Sequence, residues 1–175
     1  MKNYRLVIAF LAFLSFAAAV GGSVVQAETA SSFIGTLLPG SDEFEEDQLA
    51  IRTNDGERYY FNVELAVTSA QQSHGMMERT RMDDDAGMLF IFHGEGMRAF
   101  WMKDTLIPLD MLFLSEDGTI HHIHHNAKPQ DETTITSRFP SKAVLELKGG
   151  MTDKLGIKEG DVVEHDVFRN VGIAE

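Results

Sequence analysis

The 175-residue chain has no cysteine, only four prolines and a single tryptophan, and its 15 basic residues are outnumbered by 27 acidic ones. Without cysteine it has no disulfides, no thiolate metal ligands and no lipid-modifiable thiol, so apolar burial must hold it together. A formal charge of −12 repels phosphate backbones and anionic headgroups, which argues against nucleic acid as a partner. Long hydrophobic runs are scarce too. Only residues 6–20 form one, and it is shorter than the roughly 20 residues that a membrane-crossing helix needs. Lys2 and Arg5 precede this run, and Val25-Gln26-Ala27 follows it with the small residues a signal peptidase reads. Residues 1–27 are therefore expected to be a cleaved signal peptide. The protein is then exported, to the periplasm or the extracellular space, with no stable membrane span after cleavage.

Residues 28–48 have few periodic apolar positions and end in an acidic run, Ser41-Asp42-Glu43-Phe44-Glu45-Glu46-Asp47, which reads as a flexible arm. Residues 49–170 read as one globular domain and 171–175 as a tail. Short strands are expected at 49–52 and 59–67 around the Asn54-Asp55-Gly56 turn, with Tyr59, Phe61, Val63, Leu65 and Val67 alternating onto one face. Thr68 and Gln71 fit a capping box, opening a short helix that runs toward Glu78 unless Gly75 ends it.

Further strands are expected at 88–92, 98–102, 111–114, 119–125, 143–147 and 162–168, with a helical turn at 151–155 stopped by Gly156. The strands at 88–92, 98–102 and 111–114 are apolar on both faces, which predicts interior strands covered on both sides. The segment 126–140, with Pro129 and Pro140, is expected to be a long surface loop. About seven short strands and one or two short helices make a mainly β fold, a β-rich sandwich or barrel.

The run at 87–114, GMLFIFHGEGMRAFWMKDTLIPLDMLFL, is where the apolar core meets charge. In an extended strand Trp101 and Lys103 project to one face, Phe100, Met102 and Asp104 to the other, so a charge ends each apolar face. Burying such charges unpaired is costly, which predicts a hydrogen-bonded cluster of Lys103 and Asp104 with Asp110 or Arg79. Arg79, Trp101, Lys103, Asp104, Thr105 and Asp110 are accordingly the ligand-binding candidates. Trp101 would supply a flat apolar wall, Lys103 or Arg79 an anchor for an anionic or hydroxylated group, and the aspartates acceptors. The competing reading is that the charges pair among themselves and cap a loop.

Two further patterns suit metals. Seven of the nine methionines fall between Met76 and Met111, a thioether-rich stretch fit for filling a core or for holding reduced copper. Met88, Met102 and Met111 lie in apolar strands; Met76, Met77, Met82 and Met97 are the ones expected within reach of a metal. In the run His121-His122-Ile123-His124-His125, alternation puts His122 and His124 on one face, a pair able to bind a divalent ion. Two imidazoles do not close a tetrahedral site, so no cofactor is predicted, only adventitious zinc, nickel or copper. Catalytic templates are missing: no Gly-x-Ser-x-Gly, phosphate loop, His-Glu-x-x-His or dinucleotide fingerprint occurs. Paired carboxylates such as Asp104 and Asp110 are candidates for a hydrolytic acid and base.

Six ordered blocks carry a family resemblance: HGMMER at 74–79, GMLFIF at 87–92, FWMKDTLIPLDMLFL at 100–114, GTIHHI at 118–123, VLELKGG at 144–150 and LGIKEGD at 155–161. Over about residues 61–168 the chain resembles the bacterial and archaeal family catalogued as domain of unknown function 192. Members usually have Asn where this chain has Asp104, and often Cys where it has Gln130. The resemblance implies a compact, mostly β domain, often exported, and carries no established activity. Three readings of function remain: a non-catalytic exported binding module for a small polar ligand or partner protein; a copper- or zinc-handling protein using Met and His; and a hydrolytic enzyme with a carboxylate pair.

Overall fold

The computed structural model describes residues 43–171. The expected signal peptide, residues 28–42 of the arm and residues 172–175 of the tail lie outside the described residues. Along the chain come β1 (Glu45–Arg52), β2 (Arg58–Ala66), α1 (Ser69–His74), β3 (Ala86–Gly96), β4 (Ala99–Phe100), β5 (Leu109–Leu114), β6 (Ile120–Ala127), β7 (Ile135–Thr136), β8 (Ser141–Lys148), α2 (Met151–Leu155) and β9 (Val162–Glu164). Seven strands form one sheet in the order β6-β5-β8-β3-β2-β1-β9, antiparallel at every junction except β2 with β3, and β4 and β7 form a separate pair.

The large sheet curls until its edges meet. A bridge joins Thr119, just before β6, to Val162 in β9, and the amides of Ile120 and Val163 donate to the carbonyls of Asp161 and Gly118 at 2.8 and 2.9 Å. The fold is thus mainly β, a curled, half-barrel sheet with two short helices. Gly118 sits at this seam with φ of 86°, and a Cβ there would collide with the Val163 carbonyl.

Strand alternation divides the apolar residues into two cores. Leu49, Ile51, Phe61, Val63, Leu65, Leu89, Leu112, Leu145 and Leu147 belong to the inner one. The outer face of β3, β5 and β8 carries Met88, Phe90, Met111, Phe113 and Val144, covered by Met76, Met102 and Ile107 from the connecting segments. Burial on both faces explains why these strands read as nearly unbroken apolar runs. Because β2 and β3 are parallel, the chain must cross over between them. That crossover, residues 67–85, contains α1 and lies along the outer face.

Three local expectations differ from what forms, and of the two ends open to α1 the earlier one forms. β1 starts at Glu45, inside the acidic run assigned to the arm, because Glu45–Gln48 continue the ladder opposite Leu65–Asn62. α1 stops at His74, where Gly75 takes φ of 50° and returns its N–H to the Gln71 carbonyl at 2.8 Å. The expected core strand at 98–102 is only the two-residue β4, and the chain turns after Phe100, with Asp104 left-handed at φ of 54°. The last strand ends at Glu164: His165 Nδ1 accepts from the Val167 amide at 3.2 Å and starts a 3-10 turn over Asp166–Phe168.

Candidate functional site

A cleft of about 520 Å³ opens on the outer face between the end of α1 and the segment 97–101. The Thr68–Gln71 capping box fixes the start of α1, and Gln72 Nε2 ties the helix to the carbonyls of Ala66 and Ile91 at 3.2 and 2.8 Å. Beyond the helix, the Glu78 amide donates to the Asp104 carbonyl at 2.8 Å, which joins the two walls below the cleft mouth. Aromatic packing stiffens the side facing α1: Phe100 meets Phe90 edge-on at 5.2 Å and Phe113 at 6.2 Å. Met97, Trp101 and Leu106 are exposed on the segment above, with Met97 and Trp101 lining the cleft itself.

Glu146 lies in the cleft lining and is only 4% exposed. In β8 it alternates with Leu145 and Leu147 of the inner core, so it belongs to the outer face, in register with Met88 on one neighbouring strand and Met111 on the other. Directly opposed residues lie about 5 Å apart at Cβ, so the carboxylate emerges between two thioether side chains. It makes no hydrogen bond to any described residue, and burial raises its pKa from 4.5 to about 8, opposed by the more distant charge of Arg79. At neutral pH this group is therefore largely a neutral acid facing a cavity. Among the described residues the only side-chain atom fully sealed from solvent without a partner is His121 Nδ1, so the Glu146 oxygens retain access to the cleft.

The six ligand-binding candidates do not assemble as one cluster. Trp101, half exposed at 50%, and Thr105 line the cleft. Lys103 and Asp104 are exposed on the turn beside it, with the Lys103 Nζ 5.6 Å from the centre of the Trp101 ring. Asp104 occupies the left-handed region that Asn and Asp tolerate best, a backbone reason for either residue at this place. Thr105 closes the turn, its Oγ1 donating to the Lys103 carbonyl at 3.3 Å.

Arg79 and Asp110 are committed elsewhere. The Arg79 guanidinium makes a forked ion pair with Glu64, Nη1 to Oε1 at 2.6 Å and Nη2 to Oε2 at 2.5 Å. Asp110 is fully buried on the inner face, where its Oδ1 accepts from the Asn126 and Gly150 amides and its Oδ2 from the Thr152 amide and hydroxyl. It clasps the start of α2 and the end of β6. The expected Lys103–Asp104–Asp110 cluster is thus absent, because Asp110 and the turn containing Asp104 serve opposite faces of the sheet.

Of the metal candidates, His122 is engaged by neighbours and Met76 is buried, whereas His124, Met77 and Met82 are half-buried and Met97 is exposed. His122 stacks on Phe113 at 5.6 Å and its Nδ1 is 3.0 Å from Glu159. His124 stands opposite Met111, its pKa lowered by burial first and by His122 second. Met76, expected within reach of a metal, is buried along with Met88, Met102 and Met111. Among the described residues no group of three or more His, Asp or Glu side chains is placed to hold a metal ion.

Sequence reasoning missed Glu146. The signal was available: an acidic residue inside Ala143-Val144-Leu145-Glu146-Leu147, a run otherwise apolar on both faces, has no solvent-facing position to occupy. Phe90, Phe92 and Phe100 carry the pattern of interior strand residues, yet all three line the cleft.

No curated protein matches the chain. Two solved structures are similar to it: a putative transcription regulator from Sinorhizobium meliloti 1021, 41% identical, with a TM-score of 0.71 over 73% of this chain and 99% of that one, and a protein of unknown function from Novosphingobium aromaticivorans DSM 12444, 42% identical, with a TM-score of 0.67 over 70% and 86%. The family model for domain of unknown function 192, described as an uncharacterized ACR, matches residues 50–165. With that match and two relatives above 40% identity, the chain belongs to the domain of unknown function 192 family.

Proposed function

We propose that the protein is an exported, non-catalytic binding module that receives a small ligand in the outer-face cleft. One observation carries the reading: a preformed cavity combines a half-exposed tryptophan at its mouth with a buried, unpartnered carboxyl in its lining. Sites for small molecules are concave and mostly apolar, with few polar groups that set orientation. Hydrolysis by Asp104 and Asp110 lacks geometric support, since Asp110 is saturated with donors on the other side of the sheet. Export rests on the charged, apolar and small-residue pattern of residues 1–27. The regulator label of the S. meliloti relative finds no support in this chain's charge of −12, which disfavours DNA.

The test is a thermal-shift screen of chemically diverse small molecules against the protein and against Trp101→Ala. A compound at about a hundred times its dissociation constant adds about 2.7 kcal/mol of stability, well within detection. The reading expects hits that stabilise the parent and lose most of that effect in Trp101→Ala. Hits indifferent to the substitution would place binding elsewhere and overturn it.

A further inference from the structure

We infer that the cleft takes a small organic cation, with an ammonium group set on the Glu146 carboxyl and an apolar body against Phe90, Phe100 and Trp101. The inference rests on the binding reading above and names its ligand class. The first argument is an inventory of what the cavity lacks. Glu146 receives no N–H or O–H from any described residue, so its ionised form, which only accepts, is held in the cleft only by a ligand that brings the donors. An anionic ligand would need a free cation instead. Beside Glu146 there is none among the described residues: Arg79, the one cation acting on its carboxyl, is forked onto Glu64, while Arg98 keeps its charge over the Phe92 ring with its donors on the Ser141 and Gly94 carbonyls, and Lys103 keeps its charge on the exposed turn near Trp101.

The walls agree with the lining. The faces of aromatic rings attract cations, and the carboxyl between Met88 and Met111 has a polarizable rather than an aqueous surround. The net charge of −12 adds a field that favours cations over anions. The charged and titratable groups around Glu146 are Arg79 and Glu64, paired to one another, with Arg98 and His74 in the cleft lining, Lys148 further along β8, and His124 beyond Met111 on β6. Met88 and Met111, the residues facing it from β3 and β5, bear no charge.

Binding is then a proton exchange. Glu146 enters as the neutral acid, the arriving ammonium favours the carboxylate, and the O–H proton leaves to solvent while the nitrogen keeps its own protons. No bond to carbon changes. Uptake of a cation is thereby linked to release of one proton.

Three probes that share a phenyl ring and differ in head group separate the possibilities: 2-phenylethylammonium, 2-phenylethanol and 3-phenylpropionate, each titrated into the protein. Trp101, the sole tryptophan, reports occupancy through its fluorescence, and calorimetry in buffers of different ionisation enthalpy counts protons. The expected result is that the ammonium binds at least about tenfold tighter than the alcohol, a gap of about 1.4 kcal/mol, and that the carboxylate binds weakest. At about pH 6.5 close to one proton should leave per ammonium bound, and none should leave from Glu146→Gln, which should also lose the preference for ammonium over alcohol. If the alcohol binds saturably and as tightly as the ammonium, the cation inference falls while the cleft remains the binding site. If the carboxylate binds tightest, the inference falls and an anion site replaces it. If none of the three perturbs Trp101 saturably, the inference falls together with the reading it rests on. The comparison among probes uses the parent protein, so it stands even if the Gln variant folds poorly.

Discussion

Both carboxylate oxygens of Glu64 hold the guanidinium of Arg79, and that pair leaves Glu146, two strands away in the same cross-sheet row, without a cation of its own. Glu64→Gln should release one prong and let Arg79 act more strongly on Glu146, lowering the Glu146 pKa from its raised value of about 8. The pair is partly solvated, so the direct loss of stability should be modest, about 1 kcal/mol or less. Carbon-detected NMR titration of the glutamate side chains reads the outcome; an unmoved Glu146 would show that Arg79 stays fixed without its partner.

Glu146 itself should make stability depend on pH. Its folded pKa lies above its unfolded value of 4.5, so the folded state holds the extra proton between 4.5 and about 8. The stability attached to that proton is complete below 4.5 and is lost progressively as pH rises toward 8. At about 1.4 kcal/mol per pH unit of that interval, the loss is on the order of 5 kcal/mol. Glu146→Gln should remove this slope, leaving stability nearly unchanged at about pH 4 and raising it most at about pH 8 to 9, as measured by urea unfolding across the range.

Asp110 offers the contrasting case of a buried carboxylate with every lone pair engaged. Asp110→Ala strands the amides of Asn126, Gly150 and Thr152 together with the Thr152 hydroxyl, and should cost about 3 to 5 kcal/mol. Asp110→Asn keeps one acceptor oxygen but turns an N–H₂ toward donors, so its cost should fall between the parent and the alanine variant. Chemical denaturation measures both. Cleft occupancy reported by Trp101 should survive in the fraction that remains folded, because Asp110 supports the inner face.

The sheet was legible from alternation because period-two patterning is local. Tyr59, Phe61, Val63 and Leu65 face inward as their spacing requires, and the doubly buried strands at 88–92 and 111–114 are central as their continuous apolar character implies. The capping box at Thr68 and Gln71 likewise forms from residues three apart. What alternation could not reveal was where a strand stops. Trp101, Lys103 and Asp104 were assigned faces on the premise that the chain stays extended through 98–102, yet it turns after Phe100.

The site depended on non-local facts. Asp110 reads as a partner for Lys103 by proximity in sequence, but its four donors come from 16 to 42 residues away. Glu146 stands out in sequence as an acid within the apolar run VLEL, but what it faces emerges only when the strand order sets it between Met88 and Met111. Neither relationship can be inferred before the pairing of β8 with both β3 and β5 is known.

The single parallel junction, β2 with β3, gives the architecture a division of labour. The curled sheet is specified by ladder register, whereas the cleft is walled by the crossover at 67–85 and by the excursion at 97–107, neither of which sets that register. Segments of this kind accept insertions, deletions and side-chain exchange far more readily than paired strands do. Changes in those two segments can therefore recut the cleft's outline while Glu146 stays anchored in β8, a strand paired on both sides.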